Sequence, residues 1–326
     1  MKKALFINLF MLVAMFFLFG NTSQAVSPSA ISVNVAPANP APYENVTITL
    51  SSFAANLDSV NIEWIMDGST ALSGIGKKSF SLNAKAANVD TKIEVRIFLP
   101  DGEINKNITI RPGVMILLWQ ANDSYVPPFY KGKALPTPGS EIKVVAMPEI
   151  SVNKKLVNSK NMTYAWKQNY NNMQSSSGYG KNFFTFINDY LEGSDNVSVV
   201  ASTVDQQSSS ESNISINTTN PEIFFYKKDT AMGTLWEKEL SNNHTIIGEE
   251  VIVAEPFFIS PRDYRRPDLL FYWSIGNRSV SVPNYLKNIM PIKAGENASG
   301  TTKIKLEIEN TDKIYQTAKK EININF

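Results

Sequence analysis

Val60-Asn61-Ile62-Glu63-Trp64-Ile65-Met66-Asp67-Gly68 is the stretch whose reading decides the fold. Its apolar and polar residues alternate with period two, so Ile62 and Trp64 share one face of a strand, and Asp-Gly then supplies a turn. The pattern returns in Met162-Thr163-Tyr164-Ala165-Trp166 and in Leu269-Leu270-Phe271-Tyr272-Trp273-Ser274-Ile275-Gly276-Asn277. Tyr164 falls on the face of Trp166, and Phe271 on that of Trp273. Trp64, Trp166 and Trp273 therefore read as core residues and not as a sugar-stacking platform. Their spacing of roughly 100 residues is that of one sandwich domain, too long for a solenoid repeat.

Working outward, Val46-Thr47-Ile48-Thr49-Leu50 and Lys78-Ser79-Phe80-Ser81-Leu82 flank the first tryptophan strand as further alternating runs. Pro37, Pro40 and Pro42 mark an extended lead-in with an edge strand, and Pro100-Asp101-Gly102 joins the two closing strands as a hairpin. Arg111-Pro112-Gly113 and Asn220-Pro221 are boundaries, which divides the chain into modules at 31–111, 113–219 and 221–326. Val114 to Trp119 reads as a buried strand opening the second module. Glu249 to Pro256 in the third matches Glu141 to Pro148 in the second without a gap. The fold class is all-β, three tandem sandwiches in a row. Short linkers containing proline would hold them end to end as a semi-rigid rod.

Before the modules, Met1-Lys2-Lys3 is a basic start and Ala4 to Phe19 an apolar run broken by Gly20. Ser23-Gln24-Ala25 then offers small residues to a signal peptidase. Residues 1–25 are read as a signal peptide cleaved after Ala25; the alternative is an uncleaved anchor, although 16 apolar residues fall short of the roughly 20 that span a bilayer. The protein is thus expected to be exported, to the periplasm, the cell surface or the medium. Its net charge of +1 gives no long-range pull on nucleic acid, and membrane contact is expected only through the amino-terminal segment if it is retained. With no cysteine, thiol chemistry, thiolate metal sites and disulfides are excluded. The ten Asn-x-Ser/Thr triplets between Asn45 and Asn297 read as solubilising strand faces.

On Ile62-Glu63-Trp64-Ile65-Met66-Asp67-Gly68 and the hairpin from Ile93 to Ile110, the chain resembles bacterial immunoglobulin-like and PKD-like β-sandwich modules of envelope proteins. It departs from antibody domains in lacking both bridge cysteines and from PKD modules in lacking a Gly-Asp-Gly turn. The resemblance implies architecture; such folds carry many unrelated functions.

Candidate contact residues lie in loops. Tyr125, Phe129 and Tyr130 sit in a proline-rich segment, and Tyr170 and Tyr179 flank a polar one. Exposed aromatics of this kind stack on sugars or anchor protein interfaces, while the counterpart of 129–135 at Leu235 to Leu240 favours packing of that segment over its own sandwich. Pro261-Arg262-Asp263-Tyr264-Arg265-Arg266-Pro267 presents three guanidiniums suited to carboxylates or phosphates, against a plain reading of internal pairing to Asp263 and Asp268. Asp67, Asp101, Asp189, Asp195 and Asp312 sit near turns without an Asp-x-Asp-x-Asp run, so no calcium site, other metal or cofactor is expected. Glu249 and Glu250 alternate to opposite faces, and the single histidine, His244, is expected in an exposed loop, so no catalytic set is assembled. The expected function is non-enzymatic: adhesion, spacing or assembly of a surface structure with another envelope protein. The alternative is binding of a surface polysaccharide through the loop aromatics or the arginine loop.

Overall fold

The computed structural model describes residues 27–128, 130–295 and 298–326. The expected signal peptide and Phe129 lie outside the described residues. Two compact units divide the chain at Val114, and each is taken by itself.

The first unit contains β1 (Ile31–Ala36), β2 (Asn45–Ser52), β3 (Asn61–Met66), β4 (Ser69–Ile75), β5 (Ser79–Asn83), β6 (Thr91–Leu99) and β7 (Gly102–Ile110). They form two sheets, β1-β2-β5 and β4-β3-β6-β7, all pairs antiparallel. Alternation makes a two-faced strand of each: β6 buries every second residue from Thr91 to Leu99. The inner faces meet in a core of Ile48, Leu50, Ile62, Trp64, Val95 and Ile97 among others. Trp64 ties the two sheets together. Its ring stacks on Phe80 of β5 at 5.4 Å, and its indole N–H donates to the Lys77 carbonyl at 2.7 Å.

The second unit repeats this plan twice. It opens with β8 (Val114–Ala121), β9 (Glu141–Glu149), a small β10 (Ser151–Val152) and β11 (Lys155–Leu156) tab, and β12 (Thr163–Gln168). Next come β13 (Asn171–Asn172), β14 (Gly178–Tyr179), β15 (Phe183–Ile187), β16 (Ser194–Ser202) and β17 (Ser209–Asn217). The sheets are β15-β9-β8 and β13-β12-β16-β17, with β14 also on β12. The third sandwich has β18 (Glu222–Asp229), β19 (Gly233–Thr234), β20 (Asn243–Thr245), β21 (Glu249–Phe257) and β22 (Leu269–Ile275). It ends with β23 (Arg278–Val280), β24 (Ile289–Lys293), β25 (Thr301–Asn310) and β26 (Thr317–Asn325). Its sheets are β19-β18-β21-β24 and β20-β26-β25-β22-β23. Each sandwich has its own core, with Trp166 and Trp273 in the place of Trp64. Their indoles donate to the carbonyls of Lys181 (2.9 Å) and Lys287 (2.8 Å), the same bond made three times.

One expectation is corrected, and one strand has no counterpart in the sequence reading. β8 is not a buried strand: it is a sheet edge with Ile116 and Leu118 exposed, because only one of its faces meets the core through Met115, Leu117 and Trp119. β4 was not foreseen, since Ser-Thr-Ala-Leu-Ser-Gly-Ile lacks the apolar alternation that marks a core strand; it lies at the sheet edge with only Leu72 packed inward. Among the described residues no helix is long and apolar enough to cross a membrane.

Candidate functional site

The segment between β8 and β9 is where most of the candidate aromatics sit. Its tyrosines pack on the third sandwich, while Lys133 and Ala134 stay against β8 of its own. Tyr125 is bonded through its main chain like a strand residue: its N–H donates to Ile259 O (2.7 Å) and its carbonyl accepts from Phe258 N (2.8 Å). Its ring meets Tyr264 edge-on at 4.9 Å, and its hydroxyl donates to Glu255 Oε2 at 2.8 Å. Tyr130 lies edge-on to Phe257 and Phe258, at 5.6 and 5.8 Å. The expectation that 129–135 covers its own sandwich holds for Lys133, whose ammonium lies 3.7 Å over the Trp119 ring, and for Ala134, whose carbonyl accepts from Ala121 N, while the rings of Tyr125 and Tyr130 pack on the neighbouring module.

Three further contacts complete the joint. Lys313 Nζ bonds Asp123 Oδ2 at 2.5 Å, Gln316 Nε2 donates to Pro138 O at 2.9 Å, and Tyr190 stacks on Tyr315 at 4.8 Å. Gln316 is fully buried, and its Oε1 accepts from Ser260 N at 2.8 Å.

Glu255 is the chemically unusual member. It is 5% exposed, where Met147, its counterpart in β9, is 46% exposed. Burial pushes its carboxyl up to about 7, against the opposing pull of the Tyr125 hydrogen bond and the nearby Arg265 charge. Burial and the adjacent Glu255 carboxylate also hold the Tyr125 hydroxyl well above the usual phenol range. A cavity of about 240 Å³ opens beside it, lined by Tyr264, Arg265, Tyr285, Lys287 and Asn288.

The arginine loop stands on this base. Lys287 is buried, and its ammonium donates to Arg266 O (2.7 Å) and Leu269 O (2.9 Å) while lying 5.0 Å from the Phe271 ring. Burial lowers the Lys287 amine below the usual lysine range. Tyr264 packs inward on the third core. Arg266 pairs with Asp268, Nη2 to Oδ2 2.9 Å, whereas Asp263 caps the Arg265 N–H at 3.1 Å. Arg262, Arg265 and Arg266 remain exposed at the surface.

The other candidates scatter. Tyr170 is 89% exposed at the turn between β12 and β13, and Tyr179 is 61% exposed with its hydroxyl on Asn161 Oδ1 at 3.3 Å. His244 is not in an exposed loop: β20 pairs in parallel with β26, and the imidazole, partly buried, bonds Glu250 Oε2 at 2.8 Å. Burial would raise the Glu250 carboxyl, but the bonds from Lys227 (2.9 Å) and His244 outweigh it and hold it low. Ser241 Oγ, three residues before His244, donates to Asn243 O at 2.6 Å rather than to the imidazole. Asp195 lies near a turn as expected, at the start of β16, but it is 1% exposed. Sequence reading missed Glu255, Lys287 and Gln316. The one available signal was the gapless match of 249–256 to 141–148, which sets Glu255 against an apolar Met147.

These observations define a tandem array of immunoglobulin-like sandwiches with a built joint between the second and the third. No protein-family model matches the chain, and no curated protein matches it in sequence. Among solved structures it is similar to the central fibronectin-III array of RIM-binding protein, at 9% identity over 90% of this chain and 95% of that one with a TM-score of 0.32. A second is the three N-terminal domains of the bacteriophage RB49 Highly Immunogenic Outer Capsid protein (9%, 91% and 97%, 0.25). A third is the fibronectin(III)-like modules of Clostridium thermocellum CbhA (12%, 58% and 94%, 0.26). TM-scores this low assign neither partner nor activity.

Proposed function

We propose that this is an exported, non-enzymatic modular surface protein that takes part in adhesion or assembly by presenting the arginine loop of its third sandwich to an acidic envelope partner. The observation that carries the reading is a loop pinned from within beneath exposed charge: Lys287 and Tyr264 hold its inner side, while the three arginines stay at the surface. A loop ordered beforehand loses less entropy on binding, and guanidinium forks match carboxylates bidentately. The amino-terminal basic, apolar and small-residue pattern supports export.

The test is cross-linking capture by the 26–326 chain on the cells that make it, beside a variant with Arg262, Arg265 and Arg266 changed to Ser. Capture of one defined envelope protein, lost with the variant, is the expected result. Equal capture by both chains, or none by either, overturns the reading.

A further inference from the structure

The three sandwiches allow position-by-position comparison at one pole. The last inward residue of each tryptophan strand is fixed by its cross-strand partner: Met66 opposite Ile93, Gln168 opposite Val197, Ile275 opposite Ile304. The residue after the facing strand is fixed by a main-chain bond: Ala84 to Glu44 O, Asn188 to Ser140 O, Ala294 to Gly248 O. The third station pairs with an isoleucine of the last strand: Thr91 with Ile110, Asp195 with Ile216, Thr302 with Ile324. The first and third sandwiches thus carry Met, Ala, Thr and Ile, Ala, Thr. The second carries Gln168, Asn188 and Asp195, so the fold itself does not ask for these polar groups.

Nor does the second sandwich satisfy them. Asp195 Oδ1 accepts from Gln168 (2.8 Å) and Asn169 (3.2 Å), but Oδ2 has no partner, and neither Oδ1 nor Nδ2 of Asn188 has one. Asn188 and Asp195 are 3% and 1% exposed. Among the described residues the first sandwich has one such orphan, the Thr91 hydroxyl, and the second a lone one in the Ser210 hydroxyl; three orphan atoms on two side chains of one cavity occur in the second alone. All three residues line one cavity of about 470 Å³, within the size range of small-ligand sites. The cavity at the same pole of the third sandwich, about 320 Å³, is lined largely by isoleucine, proline and phenylalanine.

The unpartnered set names the ligand chemistry. It offers two acceptors and an amide N–H donor, and a bare cation answers only the acceptors. Among the described residues no group of three or more acidic or histidine side chains is placed to hold a metal. The remaining lining includes Asp189, Glu192 and Tyr190 and no lysine or arginine, which disfavours phosphates and acidic sugars. Vicinal hydroxyls donate and accept from one scaffold. We propose that this pole of the second sandwich binds a neutral or amino-sugar unit of a glycan, with Asn188 and Asp195 as direct partners and Gln168 holding Asp195.

The test is saturation-transfer NMR on the whole chain with glucose, galactose, N-acetylglucosamine and glucosamine, with glucuronic acid as one comparison arm and a calorimetric titration of calcium chloride as another. It is repeated on a double variant carrying Asn188→Ala and Asp195→Thr, the residues of the sister modules. The expected result is saturation of at least one neutral or amino sugar, weakened at least tenfold in the variant, with the variant melting no lower than the parent. No sugar signal means that water alone occupies the pole and overturns the proposal. So do binding that survives in the variant, a response to calcium alone or to glucuronate alone, and a variant that melts lower, which would make the polar trio structural.

Discussion

At the residue scale the most informative side chains are those the fold does not require. Asn169 and Tyr170 form the two-residue turn between β12 and β13 with φ of 47° and 67°, the left-handed region that favours Asn-Gly. Asp67-Gly68 fills the same turn in the first sandwich. A tyrosine there is strained by roughly 1–2 kcal/mol, of which glycine's extra unfolded-state freedom would return about half. Tyr170→Gly is therefore expected to stabilise the chain by about 0.5–1 kcal/mol, read as a higher urea midpoint at unchanged m-value. A lower midpoint would show that the exposed ring packs in some favourable way. The three tryptophans, by contrast, were fully legible, because a period-two pattern states which face a residue occupies. What the pattern could not state was the acceptor of each indole N–H. Lys77, Lys181 and Lys287 follow their tryptophans by 13 to 15 residues across a sheet-to-sheet connection, and they contribute main-chain carbonyls, which sequence does not distinguish.

At the scale of elements, β21 shows how a neighbour rewrites an alternating strand. Its counterpart β9 keeps alternation through Met147 and Pro148, yet Val253 to Pro256 are buried without interruption. One face looks into the third core and the other is covered by the segment around Tyr125. Burial of that second face was invisible in the sequence, since it depends on a loop more than 100 residues away. It also has a pH signature. With the Glu255 carboxyl raised from an ordinary 4.5 to about 7, the folded chain holds a proton that the unfolded chain has released between those values. Stability from this group is complete below about 4.5, falls as pH rises towards 7, and is flat above. The full loss is on the order of 3 kcal/mol. Glu255→Gln, which keeps an acceptor for the Tyr125 hydroxyl, should remove that slope in urea unfolding measured from pH 4.5 to 8. An unchanged slope would place the titration elsewhere. The polar trio escaped sequence reading for a related reason: Gln168, Asn188 and Asp195 lie in three separate, generally polar stretches, and only the registers of three superposable sandwiches bring them to one pole.

At the scale of the molecule, the boundary residues around 219–221 read as a linker between modules, yet the second and third sandwiches fall in one compact unit. The joint explains this. Its apolar part is the set of rings around Tyr125, Tyr130 and Tyr264. Its polar part is the Tyr125 to Glu255 bond, the buried Gln316 amide and the partly buried Lys313 to Asp123 pair. A hydrogen bond to a buried charged group is worth roughly 1.5–3 kcal/mol, and Glu255 is the most buried charged group of the joint, so the phenol hydroxyl is the place to break the coupling. Hydrogen exchange of the whole chain in rising guanidinium should show amides of β16 and β17 losing protection together with those of β25 and β26. Tyr125→Phe at pH 8, where Glu255 is ionised and would then lack its donor, should separate the two sets by about 2 kcal/mol of opening free energy. At pH 5, where the carboxyl is protonated, the separation should shrink. Two sets that open independently in the parent chain would mean that the rings and bonds at the joint align the sandwiches without coupling their stability.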